Sequence, residues 1–293
     1  MRAKESEILG RRTLLTAGTA TAAALLTGAP AHATTDRLRE LERQHGARLG
    51  VFAYNVRTKK TVTHRADERF PICSLFKPLA AAAVLRDLDR NGEVLAKRIH
   101  YTADDLVAYS PKTEKNLATG MTVGELADAA IRFSDNTAGN LLLRELGGPT
   151  AITRFARSIG DPVTRLDRWE TELNSAEPWR VTDTTSPRAI GRSYARLVLG
   201  NTLNRPDREL LTHWLLNNTT SVNRFRAALP PTWAIADKTG GGSYGANNDV
   251  GIAWTEDGTP LVLAVQTTRP EQDAEYDHAL IVKATEFLAQ TLT

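Results

Sequence analysis

The chain has 293 residues, 41% of them hydrophobic, and a formal net charge of +3 at pH 7. That describes a globular protein of one large domain or two intertwined ones. The small charge, with no basic block or aromatic-interleaved patch, gives no case for nucleic acid. Cys73 stands alone, which excludes an internal disulfide, and the six histidines show no metal-ligand spacing.

Residues 1–33 read as an export signal. Arg2, Lys4, Arg11 and Arg12 precede a mildly apolar stretch at 13–26, and Ala31-His32-Ala33 is a small-x-small cleavage site. The paired arginines of Gly10-Arg11-Arg12-Thr13-Leu14-Leu15 suit the twin-arginine route, with a general secretory signal as the alternative. Losing four basic and two acidic side chains with that segment takes the charge from +3 to +1. No later run approaches the ~18 apolar residues of a membrane helix, so no stable membrane association is expected after cleavage.

Residues 34–45 follow as an amphipathic helix, and 49–56 and 61–64 as two strands joined by a polar turn. The apolar run 79–85 is a buried helix whose first turn carries Ser74 and Lys77. Residues 122–131 open with a capping box, Thr122 to Glu125, and 138–146 and 150–159 are further helices stopped by glycines. The stretch 161–183 has no sustained period and is too long for a plain connection, which marks a functional loop. Residues 184–199 and 208–216 return to helix. Beyond Leu229-Pro230-Pro231 the pattern changes to strands at 233–238, 248–255 and 261–268, with a turn at 240–245 and a closing helix at 278–292. Two N-terminal strands alone are marginal in water, so they need the three C-terminal ones. The expected fold is α/β of the α+β type: a five-stranded antiparallel sheet flanked by N- and C-terminal helices (34–68 with 228–293), with an all-helical domain inserted at 69–227. Two separate domains are the alternative.

Four short constellations carry chemistry. In Ser74-Leu75-Phe76-Lys77 a hydroxyl and an amine three residues apart share one helix face, and the helix N-terminus favours developing negative charge. Ser134-Asp135-Asn136 lies between two helices and also reads as a helix cap. Lys238-Thr239-Gly240 ends a strand and enters a glycine-rich turn. Inside the long loop, Glu170 and Asn174 are spaced to hold a water between them, or are solvated loop residues.

Ser-x-x-Lys, Ser-Asp-Asn and Lys-Thr-Gly in this order are the signature of class A β-lactamases and penicillin-binding proteins. The chain resembles a class A β-lactamase over essentially all of 34–293, with further agreement at Tyr109-Ser110-Pro111, at 134–140, at 164–174 and at Asp183-Thr184-Thr185. The resemblance implies that Ser74 attacks the β-lactam carbonyl, with its own N–H and that of Gly241 forming the oxyanion hole. Lys77 would accept or relay the Ser74 proton, and Ser134 would pass a proton to the leaving nitrogen. Asn136 would hold the acylamide side chain and Lys238 and Thr239 the substrate carboxylate, with Gly240 also in the substrate-binding set. Arg224 matches the position where some members supply a guanidinium for that carboxylate; others place it where this chain has Asn247. Glu170 and Asn174 would activate the water that releases the acyl group, which distinguishes a hydrolase from an acyl acceptor. Tyr109 would wall the entrance.

The departures are specific. Leu75 replaces a usual threonine, and Pro78 implies a slight kink. Thr171 stands where many members have proline, so the family's cis bond after the glutamate would here be a non-proline one. Cys73 matches a position that is disulfide-bonded in carbapenem-hydrolysing members, but the partner position is Gly242, so strong carbapenemase activity is not expected.

Other readings compete. Gly241-Gly242-Ser243-Tyr244-Gly245, followed by Asp257 and His278, matches an esterase order, but that motif needs a helix where 248–255 alternates like a strand. A cell-wall carboxypeptidase, or a penicillin-binding sensor that stays acylated, shares the three motifs without the loop glutamate. The expected protein is an exported monomeric serine β-lactamase that takes a small β-lactam substrate and uses no metal and no organic cofactor.

Overall fold

The computed structural model describes residues 29–293; the export segment expected at 1–33 lies, through residue 28, outside the described residues. Helix α1 (Ala29–His45) leads into strands β1 (Arg48–Asn55) and β2 (Thr61–His64). It starts ahead of the expected residue 34 and runs through the cleavage motif. Strand β3 (Phe70–Pro71) precedes a 3₁₀ turn, Cys73–Phe76, which passes directly into α2 (Lys77–Ala83) and a π-helical end, Val84–Leu88. The Lys77 N–H closes the 3₁₀ turn on the Ser74 carbonyl, so Pro78 takes an early helix position where its missing N–H costs nothing. The slight kink expected at Pro78 becomes a 3₁₀-to-α junction.

Short α3 (Glu93–Ala96), β4 (Arg98–Ile99) and β5 (Met121–Thr122) lead to α4 (Val123–Arg132), α5 (Asn136–Glu145) and α6 (Thr150–Ser158). The capping box holds: Glu125 N–H donates to Thr122 Oγ1 at 3.1 Å, and Thr122 N–H to the Glu125 carboxylate at 2.7 Å. Residues 184–199, expected as one helix, divide into β6 (Thr184–Thr185), paired with β3, and α7 (Pro187–Val198). Ser186 caps α7 and Pro187 fills its first position, which sets the start there. Helix α8 (Arg205–Leu216) begins three residues earlier than expected because Asn204 caps it, and α9 (Phe225–Ala228) follows.

Strands β7 (Ala234–Gly242), β8 (Ala246–Trp254) and β9 (Pro260–Thr268) and helix α10 (His278–Leu292) complete the chain. The sheet order is β2-β1-β9-β8-β7, antiparallel throughout, which joins both ends of the chain in one sheet as expected. Alternate residues divide between its faces. Leu49, Val51, Leu261, Leu263 and Val265 pack under α1 and α10, while Phe52, Val250, Ile252, Val262 and Ala264 face the other helices. Every residue of α2 is buried, and its run of alanines lets neighbouring helices close around it.

The glycines expected as a turn at 240–245 belong largely to β7, whose hairpin turns only after Gly242. Their missing side chains are the reason: a Cβ at Gly240 would stand 3.1 Å from that of Cys73, and one at Gly242 would stand 2.6 Å from the Asn174 carbonyl. The Gly-x-Ser-x-Gly match therefore lies in a hairpin, and β8 follows it in place of the helix an esterase needs.

Candidate active site

A cavity of about 1010 Å³ opens between the end of β7, the 3₁₀ turn at Ser74 and the loop after α4. Ser74, Tyr109, Ser134, Asn136, Asn174, Arg224, Thr239, Gly240 and Gly241 all line it. Lys77, Glu170 and Lys238, the remaining predicted residues, are buried side chains linked to that lining. The whole predicted set therefore converges on one place.

Lys77 is the hub. Its Nζ donates to Asn136 Oδ1 at 2.6 Å, to the Ser134 carbonyl at 2.8 Å and to Ser74 Oγ at 3.0 Å, and lies 3.1 Å from Glu170 Oε1. Burial lowers the ammonium's pKa, and the Glu170 carboxylate opposes that shift. Ser74 Oγ itself stands 3.5 Å from Glu170 Oε1. On the far side, Asn174 Nδ2 donates to Glu170 Oε2 at 2.5 Å. Nucleophile, amine, carboxylate and carboxamide form one continuous chain.

Lys238 closes the other end. Its Nζ donates to Ser134 Oγ at 3.0 Å and to the Thr239 carbonyl at 2.9 Å. Burial pushes its pKa well below the ordinary lysine value, and the nearby charges of Lys77 and Arg224 push the same way. Arg224 is buried, with Nε donating to Asn247 Oδ1 at 2.6 Å and Nη1 to the Thr220 carbonyl at 2.9 Å. The two positions where the resemblance implies an arginine are thus in contact here, with the Asn247 amide accepting from the Arg224 guanidinium.

Local backbone choices place these groups. Asp135 caps α5 through Ala138 N–H at 2.8 Å and takes Lys112 N–H, Thr113 N–H and Thr113 Oγ1, which ties the Tyr109 loop to the helix start. The helix-cap reading of Ser134-Asp135-Asn136 holds for its middle residue, and the two neighbours face the cavity. Cys73, Tyr109 and Ser134 all adopt positive φ, between 45° and 62°, a conformation costing of order 1–3 kcal/mol per residue. Strand β7 is an edge of the sheet, so alternate N–H groups near Gly241 face away from β8.

The loop at 161–183 is closed by Asp183, which accepts from Asp167 N–H at 2.8 Å, Arg168 N–H at 3.0 Å and Arg168 Nε at 2.6 Å. Asn140 then anchors its centre. Asn140 Nδ2 donates to the Glu170 carbonyl and Asn140 Oδ1 accepts the Glu170 N–H, each at 2.9 Å. The Glu170–Thr171 bond that follows is cis, the non-proline bond that Thr171 implies. Asn140 is missing from the predicted site, although an amide four residues after Asn136 on a largely apolar helix signals an interior partner. Thr220, whose Oγ1 lies 2.5 Å from Thr239 Oγ1, has no such signal.

Cys73 is a free buried thiol whose pKa burial raises, so it offers no thiolate. A Cβ at Gly242 would stand 3.1 Å from its Sγ, which makes the two positions neighbours as the resemblance implies. Among the described residues, no group of three or more His, Cys, Asp and Glu could hold a metal ion.

Known proteins are similar to this chain in sequence and in fold. A model described as the beta-lactamase enzyme family matches residues 33–292. The chain is 61% identical over 287 residues to a beta-lactamase of Streptomyces fradiae, covering 94% of each chain. It is 58% identical to one from Streptomyces albus G, covering 96% of this chain and 97% of that one. A solved structure of the beta-lactamase from Streptomyces albus G superposes with a TM-score of 0.88 at 60% identity, over 89% of this chain and all of that one.

Proposed function

The chain belongs to the beta-lactamase enzyme family and hydrolyses β-lactams, the chemistry of antibiotic resistance, and we propose that it does so through an acyl-enzyme on Ser74 that Glu170 helps to release. The observation that carries this reading is the Lys77 ammonium, 3.0 Å from Ser74 Oγ and 3.1 Å from Glu170 Oε1, with Asn174 on the carboxylate's other oxygen. Ser74 Oγ attacks the lactam carbonyl, and its proton passes into the Lys77–Glu170 pair. The oxyanion sits between the Ser74 and Gly241 N–H groups. As the C–N bond breaks, Ser134 gives its proton to the departing nitrogen and recovers one from the lysines on either side.

Deacylation uses a water held by Glu170 and Asn174. Glu170 takes its proton, the hydroxide adds to the ester, and Ser74 leaves with the proton returned through Lys77. Thr239, Arg224 and the charge of Lys238 hold the substrate carboxylate, Gly240 leaves room for it, Asn136 meets the acylamide, and Tyr109 walls the entrance. Each role falls to a side chain or a backbone N–H, so the reaction needs no metal and no organic cofactor.

The same proposal includes two domains, 34–68 with 228–293 and 69–227, meeting at the site; the apolar cluster under α1 and α10, drawn from the first of them apart from Phe225, supports it. It also includes export by the twin-arginine route and a monomeric state. Among the described residues no helix is long and apolar enough to cross a membrane. The test is covalent labelling in a Glu170→Ala background, where the acyl group is not released: a fluorescent penicillin marks that variant, and adding Ser74→Ala abolishes the mark. Persistent labelling of Ser74→Ala overturns the nucleophile assignment.

A further inference from the structure

Tyr276 belongs to none of the sequence motifs, yet it faces the strand segment that carries the oxyanion N–H. An ideal Cβ built on Gly241 would stand 2.7 Å from the Tyr276 hydroxyl oxygen and 2.9 Å from its Cζ. A side chain at 241 and the phenol ring therefore claim the same volume. The ring lines the catalytic cavity together with Arg224 and Gly241.

The phenol is 43% exposed, and the chain beside it is anchored. Asp277, next in the chain, caps α10 through Leu280 N–H at 2.9 Å and accepts from Arg269 Nη2 at 2.7 Å, while its carbonyl takes Asn247 Nδ2 at 3.1 Å. His278 meets the Tyr276 ring edge-on, with centroids 6.1 Å apart. The hydroxyl has no hydrogen-bond partner among the described residues, and neither has Arg224 Nη2. Burial raises the phenol's pKa, so it remains a proton donor at neutral pH. A free hydroxyl and a free guanidinium nitrogen lining one cavity suit a carboxylate.

We propose that Gly241 and Tyr276 form one specificity element, in which the ring fills the space a side chain at 241 would take and the hydroxyl donates to the substrate carboxylate beside Arg224. This rests on the acyl-enzyme reading above, in which that carboxylate lies along β7. A side chain at 241 then requires the tyrosine to move aside, which couples the two positions. The element favours β-lactams whose carboxylate is free and whose substituent beside it is small enough to pass the ring.

The experiment uses the purified mature enzyme and four variants, Gly241→Ala, Tyr276→Ala, the double variant and Tyr276→Phe, each checked for folding by thermal melting. Substrates are benzylpenicillin and its methyl ester, which lacks the carboxylate charge. Gly241→Ala is expected to lower kcat/KM about tenfold in the parent and less than about threefold when Tyr276 is already alanine, since residues in contact are coupled. Tyr276→Phe is expected to raise KM for benzylpenicillin about tenfold with kcat nearly unchanged, and to leave the ester unaffected. Equal losses from Gly241→Ala in both backgrounds, or an unchanged KM in Tyr276→Phe, overturn the pairing. Labelling of Ser74 by fluorescent penicillin separates the two readings. A Glu170→Ala enzyme that fails to label overturns the acyl-enzyme and the pairing with it, whereas additive losses in an enzyme whose Glu170→Ala form does label overturn the pairing alone.

Discussion

Asn140→Ala removes the clamp that holds Glu170 by its backbone. Two hydrogen bonds of 2.9 Å are lost, and the Glu170 N–H and carbonyl are left facing a vacated interior where Asn140 is only 9% exposed. Each buried group left unpaired costs about 1–3 kcal/mol, so the variant should lose about 2–6 kcal/mol of stability. In a protein of this size that lowers Tm by roughly 5–20 °C. The effect on the reaction is separable from melting if rates are taken at 15 °C. A displacement of about 1 Å at a catalytic group costs on the order of a hundredfold, and Glu170 is the group displaced. Deacylation should therefore fall about a hundredfold while acylation falls much less. Quenched-flow mixing with benzylpenicillin followed by intact mass spectrometry reads the fraction of enzyme acylated at steady state. The variant should stand mostly acylated where the parent stands mostly free. A variant that keeps the parent's melting temperature and shows no build-up of acyl-enzyme would refute the argument that Asn140 positions the loop.

Two further expectations concern stability. Gly251→Ala puts a Cβ 2.4 Å from the Ala236 carbonyl oxygen and 2.7 Å from Asp237 Cα. Both are backbone contacts that cannot swing aside, so the variant should lose about 1–3 kcal/mol despite alanine's lower chain entropy, as read by urea unfolding; an unchanged midpoint contradicts this. Glu42 ties α1 to the sheet through Leu49 N–H at 2.8 Å and Arg65 Nε at 2.7 Å. Burial alone raises its pKa, but hydrogen bonds from His64, Arg65 and Leu49 overcome that and hold it at about 2, below the ordinary 4.5. Its contribution is full above about pH 4.5 and is lost as pH falls toward 2. Glu42→Gln should thus be less stable than the parent at pH 7, with the gap closing by pH 2; a gap independent of pH would contradict the assignment.

The chemistry was the most legible part of the chain, because it needs fixed residue types at short spacing. Ser74 and Lys77 lie three apart, Ser134 and Asn136 flank a capping aspartate, and Glu170 and Asn174 are one helical turn apart. The sheet was legible from the alternation in β1, β2 and β9, and the capping box of α4 from Thr122 and Glu125. Glycine hid the end of β7: a low strand preference reads as a turn, whereas Cys73, Asn174 and Tyr276 supply the packing that holds the strand extended. Thr184–Thr185 read as helix because its pairing with Phe70–Pro71 spans more than a hundred residues. The Arg224–Asn247 contact and Tyr276 stayed hidden for the same reason. Each acts through a partner distant in sequence, and nothing within a short window marks it.

The central claim is that Glu170 turns an acyl-enzyme over. Purified mature protein and a Glu170→Ala variant, each mixed with a chromogenic cephalosporin and followed over time, test it most directly. Sustained turnover in the parent with a single-equivalent burst in the variant is the predicted result. A burst that stalls in both would make the acyl-enzyme the end state and the protein a penicillin-binding sensor, and equal turnover in both would remove Glu170 from the deacylation step.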